Sequence, residues 1–138
     1  MASLIIGDSA IKEVLLHGEK VAVVGHSDNP ERTSYRIAAY LRAHDYTVIP
    51  VNPMVDTING ERCYPSLVDV PEQIDIVDVF RRSEFLIDVV EDAIQAKAKV
   101  IWTQLGVVDD AAIQKALDAG IDVIVDRCIK VEHARLIR

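Results

Sequence analysis

The chain has 138 residues, of which half are hydrophobic and 27% are charged, a composition typical of a globular domain and not of a disordered or fibrous protein. Its net charge of −7 argues against a general affinity for nucleic acid or an anionic membrane, because both require a broad positive field. Its two cysteines lack CxxC spacing, and it has neither a signal peptide nor an apolar run of the roughly 18 residues that span a membrane. We therefore predict one cytoplasmic domain over residues 1–138 with reduced thiols and no metal site.

The first half of the chain predicts a helix followed by a strand–helix–strand unit. The helix covers residues 9–17 and ends at Gly18, and a strand at 20–25 reads "KVAVVG". A loop and a second helix lead to a strand at 47–51. The longest irregular stretch, residues 52–73, then returns the chain to the next strand.

In the second half, strands are predicted at 74–80, 99–102 and 122–125. Ser83 can cap the helix in "SEFLIDVVEDAIQA", where apolar residues recur at helical spacing. Asp109 is the predicted N-cap of the next helix and Gly120 follows its end. A short helix carrying "VEHARL" follows the last strand.

This alternation predicts an α/β fold: a doubly wound, Rossmann-like sheet of five parallel strands in the order 3-2-1-4-5, with helices on both faces. Nearly continuous apolar strands such as "VAVVG" and "VIVD" are typical of a sheet covered on both sides. Asp75, Asp78 and Asp88 alternate with apolar residues, and we interpret them as solvent edges or strand ends.

Ligands of open parallel sheets bind outside the carboxyl ends of the strands. Four arginines are predicted at those ends and favour a local phosphate site, because a guanidinium makes two charge-assisted hydrogen bonds to phosphate. The four are Arg32, Arg81, Arg82 and Arg127. Ser27, Thr33 and Ser34 precede a helix whose first N–H groups favour an anion, although Thr33 or Ser34 is equally interpretable as the helix cap.

The loop after the first strand lacks the glycines of a dinucleotide fingerprint, of which only Gly25 is present. The second strand ends in Val51, Asn52 and Pro53, without the carboxylate that binds a free ribose diol. A ribose that carries a phosphate would be repelled by such a carboxylate. The pattern therefore favours NADP or coenzyme A (CoA) over NAD.

Six segments in order resemble one protein family. "VAVVGHSDNPERTSYRIAAYL", "YTVIPVNP", "GERCYPSL", "DIVDVFRR", "AKVIWTQLG" and "DRCIKVEHARL" look like the small single-domain bacterial and archaeal CoA-binding proteins. That family is similar to the CoA-binding N-terminal domain of the succinyl-CoA synthetase α subunit. The resemblance implies CoA or an acyl-CoA as the ligand.

The resemblance also implies where each part of the ligand lies. The implied contacts are Gly25, Ser27 and Arg32 for the pyrophosphate or ribose phosphate, Asn52 and Pro53 for the adenosine end, Phe80 and Arg81 for the cleft wall, and Gln104 and Gly106 for the pantetheine path. Two positions depart from the family pattern. His26 replaces a small or aliphatic residue; its ring either contacts the ligand or points outward to water, and we expect the outward orientation. Thr33 stands where proline is common.

No catalytic residue emerges from the sequence. "GHSDN" is not a nucleophile elbow, and no acid–base pair has a recognisable spacing. Cys128 is a candidate thiol partner for CoA because it lies beside Arg127 and near Lys130, whose charges favour a thiolate; the alternative is a buried structural cysteine.

We thus expect a non-catalytic carrier, sensor or accessory module. The alternatives are an NADP-linked reductase-like enzyme domain and a protein-interaction domain with a vestigial nucleotide site.

Overall fold

The computed structural model describes residues 2–137. Its α-helices are α1 (Asp8–His17), α2 (Thr33–Ala43), α3 (Leu86–Gln95), α4 (Asp110–Asp118) and α5 (Ile129–Leu136). Its strands are β1 (Lys20–Val24), β2 (Thr47–Val51), β3 (Thr57–Ile58), β4 (Glu61–Arg62), β5 (Ile76–Val79), β6 (Val100–Thr103) and β7 (Asp122–Ile124). Single 3₁₀ turns lie at Leu67–Asp69 and Ser83–Phe85. None of these helices is long and apolar enough to cross a membrane.

Five strands form one parallel sheet in the order β2-β1-β5-β6-β7. The predicted α/β class with a five-stranded parallel sheet is therefore confirmed. Residues 3–5 run beside the outer edge of β7, where Leu4 pairs with Val123. β3 and β4 form a separate antiparallel pair.

The predicted strand order 3-2-1-4-5 is wrong, because in the same numbering the observed order is 2-1-3-4-5. β5 pairs directly with β1 instead of lying beyond β2. The outer edge of β2 is already occupied, since Tyr64 bridges Val51 and its N–H donates to the carbonyl of Pro50 at 3.0 Å. The chain crosses over β1 to reach β5, and this reversal opens a crevice between the ends of β1 and β5.

The sheet has a hydrophobic core on each face. On one face α1, α2 and α5 pack on Trp102, and they contribute Ile11, Leu15, Ile37, Leu41 and Ile129. On the other face α3 and α4 contribute Leu86, Val90, Ala93, Ala112 and Ala116. Both faces of the strands are thus covered, which explains why the strand sequences do not alternate.

Helix α4 begins as the sequence predicts. The carboxylate of Asp109 accepts hydrogen bonds from the N–H groups of Ala111 and Ala112 at 3.0 and 3.2 Å. The prediction that Ser83 caps α3 is wrong. Ser83 starts a 3₁₀ turn ahead of α3, and its hydroxyl donates to the carbonyl of Gly106 at 3.1 Å. This bond joins the loop after β5 to the loop after β6.

Gly25 forms the turn that ends β1. Its φ is +88°, and a Cβ atom there would lie 2.5 Å from the carbonyl oxygen of Phe80. Its N–H donates to the carbonyl of Val51 at 2.8 Å. The ends of β1, β2 and β5 are therefore held together at a point where only glycine fits.

Asp78 lies in the middle of β5 and is fully buried, so its interpretation as a solvent edge or strand end is wrong. Within the sheet, Asp78 lies beside Val23 of β1 and Trp102 of β6, on the face that α2 and α5 cover. Neither carboxyl oxygen has a hydrogen-bond partner among the described residues. Burial raises the pKa of Asp78 well above its ordinary value, so folding shifts this carboxyl toward its protonated form.

We expect Gly25→Ala to lower the free energy of unfolding by about 3 kcal/mol, because it combines a left-handed backbone with a backbone clash. Gly106→Ala is the matched control, since Gly106 has a φ of +81° but no atom within 4 Å of the added Cβ. It should lose only about 1 kcal/mol, from backbone strain. Urea unfolding measures both, and equal losses would show that the contact with Phe80 is unimportant.

We expect Asp78→Asn to flatten the dependence of stability on pH. The pKa of Asp78 is higher in the folded chain than in the unfolded chain. Protonated Asp78 therefore makes its full contribution to the free energy of unfolding below pH 3.8, the ordinary pKa. That contribution is lost as the pH rises toward the raised pKa. Each pKa unit between the two states is worth about 1.4 kcal/mol. Urea unfolding from pH 4 to 8 compares wild type, Asp78→Asn and the exposed control Asp118→Asn. A wild-type slope unchanged in Asp78→Asn would contradict this assignment.

Candidate functional site

The loop between β1 and α2 is fixed by its own side chains. The hydroxyl oxygen of Ser34 accepts from the N–H of Ser27 at 3.0 Å, and that of Ser27 accepts from the N–H of Asn29 at 3.0 Å. The side-chain oxygen of Asn29 accepts from the N–H of Glu31, also at 3.0 Å. The loop therefore holds one shape in front of the helix, and Ser27 and Ser34 build it.

The N-terminus of α2 carries no side-chain cap. Arg32 occupies the N-cap position without a capping bond, so the interpretation of Thr33 or Ser34 as the cap is wrong. The first helical bond runs from the N–H of Arg36 to the carbonyl of Arg32. The N–H groups of Thr33 and Ser34 thus have no partner within the helix, and the helix dipole favours an anion beside them.

His26 is completely buried, so the expectation that its ring points to water is wrong. Its Nδ1 lies 2.7 Å from the carbonyl oxygen of Ser27, and its Nε2 lies 3.3 Å from the guanidinium of Arg42. Burial is the main cause that lowers the pKa of His26; the charge of Arg42 lowers it further, and the bond to Ser27 opposes them. The imidazole is therefore neutral at physiological pH.

Asn52 joins the loops after β1 and β2. Its amide nitrogen donates to the carbonyl of His26 at 3.0 Å, and its side-chain oxygen accepts from the N–H of Met54 at 2.9 Å. Both ends of the side chain are therefore used inside the protein. Asn52 supports the loops and does not line a cleft.

Two clefts open at the carboxyl ends of the strands. The small cleft has a volume of about 90 Å³ and the large cleft about 420 Å³. The small cleft is bordered by Gly25, Pro53, Ser66, Leu67, Arg81, Phe85, Asp88 and Asp92, among others. The large cleft is bordered by Thr33, Ile37, Phe80, Arg81, Arg82, Gln104, Leu105, Gly106, Val107 and Cys128. Arg81 lies between the two and belongs to both.

Hydrogen bonds fix the wall of the large cleft. The side-chain oxygen of Gln104 accepts from the N–H of Ile129 at 3.1 Å, at the start of α5. The N–H of Gly106 donates to the carboxylate of Asp126 at 2.7 Å. Cys128 is half-buried and occupies the N-cap position of α5. Its thiol is therefore held at the border of a preformed cleft.

The rim arginines do not all face this site. Arg81 is half-buried with its guanidinium 4.5 Å from the centre of the Phe85 ring, while Arg82 is exposed and pairs with Glu84 at 3.3 Å. Arg127 instead pairs with Glu132 at 3.3 Å and donates to the carbonyl of Ile6. The expectation of one cluster of four arginines is therefore wrong for Arg127, because a buried carboxylate five residues later binds it.

The structure brings together most, but not all, of the residues predicted for a site. Gly25, Thr33, Pro53, Phe80, Arg81, Gln104, Gly106 and Cys128 border the clefts. Ser27, Ser34 and Asn52 build the loops behind them, and the exposed Arg32 has no side-chain partner among residues 2–137.

Phe85 was not predicted for the site, although its position four residues after Arg81 permits contact across the turn at 83–85. Asp88 and Asp92 were not predicted either. Within the described part of the chain, no cluster of three or more His, Cys, Asp or Glu could hold a metal ion.

Comparison with known proteins places this geometry in a family. A family model described as a CoA binding domain matches residues 19–134. YneT of Bacillus subtilis is 44% identical over 124 residues, which are 90% of this chain and 92% of YneT. A solved structure of a protein from Pyrococcus horikoshii OT3 is 39% identical, with a TM-score of 0.93 over 96% of this chain and 94% of that one.

The chain also resembles part of a larger enzyme. The ADP-forming acetate–CoA ligase II of Archaeoglobus fulgidus is 28% identical over 87 residues, which are 62% of this chain but 13% of the ligase. The likeness is therefore confined to a small portion of that enzyme. Because the family model extends from just before β1 into α5, the chain belongs to the family of CoA-binding domains.

Proposed function

We propose that this chain is a single domain that binds CoA or an acyl-CoA at the carboxyl ends of β1, β5 and β6 and acts as a non-catalytic carrier, sensor or accessory module. The observation that carries the proposal is the membership of residues 19–134 in the CoA-binding domain family. The geometry supports it, because two clefts meet at Arg81 in front of an uncapped helix N-terminus. The large cleft of about 420 Å³ lies within the usual range for small-molecule sites.

The phosphates belong at the start of α2. The N–H groups of Thr33 and Ser34 lie there without a partner within the helix. Arg32 and Arg81 carry guanidinium groups that have no carboxylate partner among the described residues. A bidentate guanidinium and a helix N-terminus both favour a phosphate. Asn52 replaces the carboxylate that would repel a ribose phosphate.

We assign the uncharged parts of CoA to the two clefts. The small cleft contains Asp88 and Asp92 besides Pro53 and Leu67, so it suits the uncharged adenine, whose amino group donates to carboxylates, and not a phosphate. The large cleft offers Phe80 and Gly106 to the pantetheine arm and places Cys128 at its border. An arm lying there would bring the CoA thiol toward Cys128.

A non-catalytic role agrees with the groups at this site. The ring of His26 is buried against Arg42, and the ring of His133 is hydrogen-bonded to the hydroxyl of Tyr40. Neither ring borders the small or the large cleft. We therefore assign ligand binding, without turnover, to these residues.

The first experiment measures the melting temperature with CoA, dephospho-CoA, NADP and NAD. A ligand at 100 times its Kd should stabilise the fold by about 2.7 kcal/mol. We expect a large upward shift with CoA and a smaller one with dephospho-CoA. A shift with NADP alone would indicate a reductase-like domain, and no shift with any nucleotide would favour a protein-interaction domain.

We expect Arg81→Ala to weaken CoA binding about tenfold or more, since a hydrogen bond to a charged group contributes about 1.5–3 kcal/mol. Arg32→Ala should weaken it in the same direction. Arg62→Ala is the matched control, because Arg62 is an exposed arginine on β4 that borders neither cleft. Titration calorimetry measures the three variants, and a change below about twofold for Arg81→Ala would remove Arg81 from the phosphate site.

We expect Cys128 to form a mixed disulfide with CoA when CoA disulfide is supplied. The Cys128 thiolate attacks one sulfur of CoA disulfide, forms the protein–CoA disulfide and releases one CoA thiolate. Cys63 is the internal control, because it is buried, its thiol donates to the carbonyl of Asn52 at 3.7 Å, and burial raises its pKa. Intact mass should show one adduct in wild type and Cys63→Ser and none in Cys128→Ser; an unmodified wild type would exclude the reaction.

A further inference from the structure

His26 makes an unusual set of contacts for a residue in a ligand-binding loop. Its ring is inaccessible to solvent and is held from three sides. Nδ1 meets the carbonyl of Ser27 at 2.7 Å, Nε2 meets the guanidinium of Arg42 at 3.3 Å, and the ring of Tyr35 lies edge-on at 5.8 Å between centroids. The side chain therefore has one fixed orientation.

These contacts determine where the imidazole proton lies. A guanidinium can only donate hydrogen bonds, so Nε2 of His26 must accept from Arg42. A carbonyl oxygen can only accept, so Nδ1 must carry the proton and donate to Ser27. The neutral ring with a protonated Nδ1 satisfies both partners, and no other form of the ring does so.

The protonated Nδ1 binds the peptide group between Ser27 and Asp28 through its carbonyl oxygen. The carbonyl of Ser27 is bound by His26, and the carbonyl of His26 is bound by Asn52 at 3.0 Å. On the other side of the residue, the N–H of Ser27 is bound by the hydroxyl of Ser34 at 3.0 Å. Two successive carbonyl oxygens are thus engaged by donors of the protein.

A carbonyl oxygen facing an anion is repulsive, whereas a peptide N–H facing it is attractive. The loop lies directly before the uncapped N–H groups of Thr33 and Ser34, where the phosphates are proposed to bind. A free Ser27 carbonyl could rotate toward that position and oppose the ligand. Preorganised dipoles give affinity because no reorganisation is needed on binding.

We propose that His26 is a positioning residue for ligand binding: its neutral imidazole, oriented by Arg42, locks the Ser27 peptide in the form that accepts an anion at the start of α2. The proposal rests on the proposed CoA-binding function. His26 does not touch the ligand and acts only through Ser27. Its buried ring is therefore part of the site, although it borders neither cleft.

Two substitutions separate positioning from packing. His26→Asn places an amide N–H donor near the position of Nδ1, whereas His26→Leu fills the volume and donates nothing. We expect His26→Leu to weaken CoA binding about tenfold and His26→Asn to stay within about threefold of wild type. Calorimetry measures CoA affinity, and urea unfolding of the free proteins confirms that each variant is folded during the titration.

The ring itself provides a second measurement. The ¹⁵N spectrum of the free wild-type protein should show His26 with a protonated Nδ1 and an unprotonated Nε2. A protonated Nε2, or equal CoA affinities for folded His26→Leu and wild type, would overturn the proposal while leaving CoA binding intact. Absence of CoA binding by wild type would instead overturn the proposed function, and the positioning role with it.

Discussion

The close approach of Gly25 to the Phe80 carbonyl is the constraint on which the site depends. It brings the end of β1 against the end of β5, while the bond from the Gly25 N–H to Val51 fixes the end of β2 beside them. These three strand ends define the crevice where the crossover reverses direction. The loop to α2 therefore starts from a fixed position. Gly25, at the start of the loop, borders the small cleft, and Thr33, at its end, borders the large cleft.

The rest of the site is built by polar groups that satisfy one another within the protein. Asn52, His26 and Ser34 bind the loop backbone, and Gln104 and Asp126 bind the backbone on the far side of the large cleft. Among residues 2–137, the first N–H groups of α2 have no partner within the helix and the guanidinium of Arg81 has no carboxylate partner, and both favour an anion. In a protein with a net charge of −7, the proposed anion site is therefore local and does not require a broad positive field.

The sequence predicted the fold class, and most of the site residues it predicted border the clefts, because apolar strand runs and the strand ends that follow them are local patterns. Strand order is not a local pattern: all five runs look alike, and the contacts of Tyr64 with the edge of β2 and of β5 with β1 form only in the folded chain. His26 and Arg127 were misplaced for a similar reason, since Arg42 and Glu132 bind them only in the folded chain. Asp78 was missed because one carboxyl among apolar residues normally marks an edge.

Binding of CoA at the carboxyl ends of the strands is tested by a ¹H–¹⁵N spectrum of the labelled protein recorded as CoA is added. We expect the largest shifts for the amides of Thr33, Ser34 and Gly106, which lie at the start of α2 and at the large cleft. The amides of Gly18 and Asp75, at the opposite ends of the strands, should not move. Shifts centred on Gly18 and Asp75, or no shifts at saturating CoA, would contradict it.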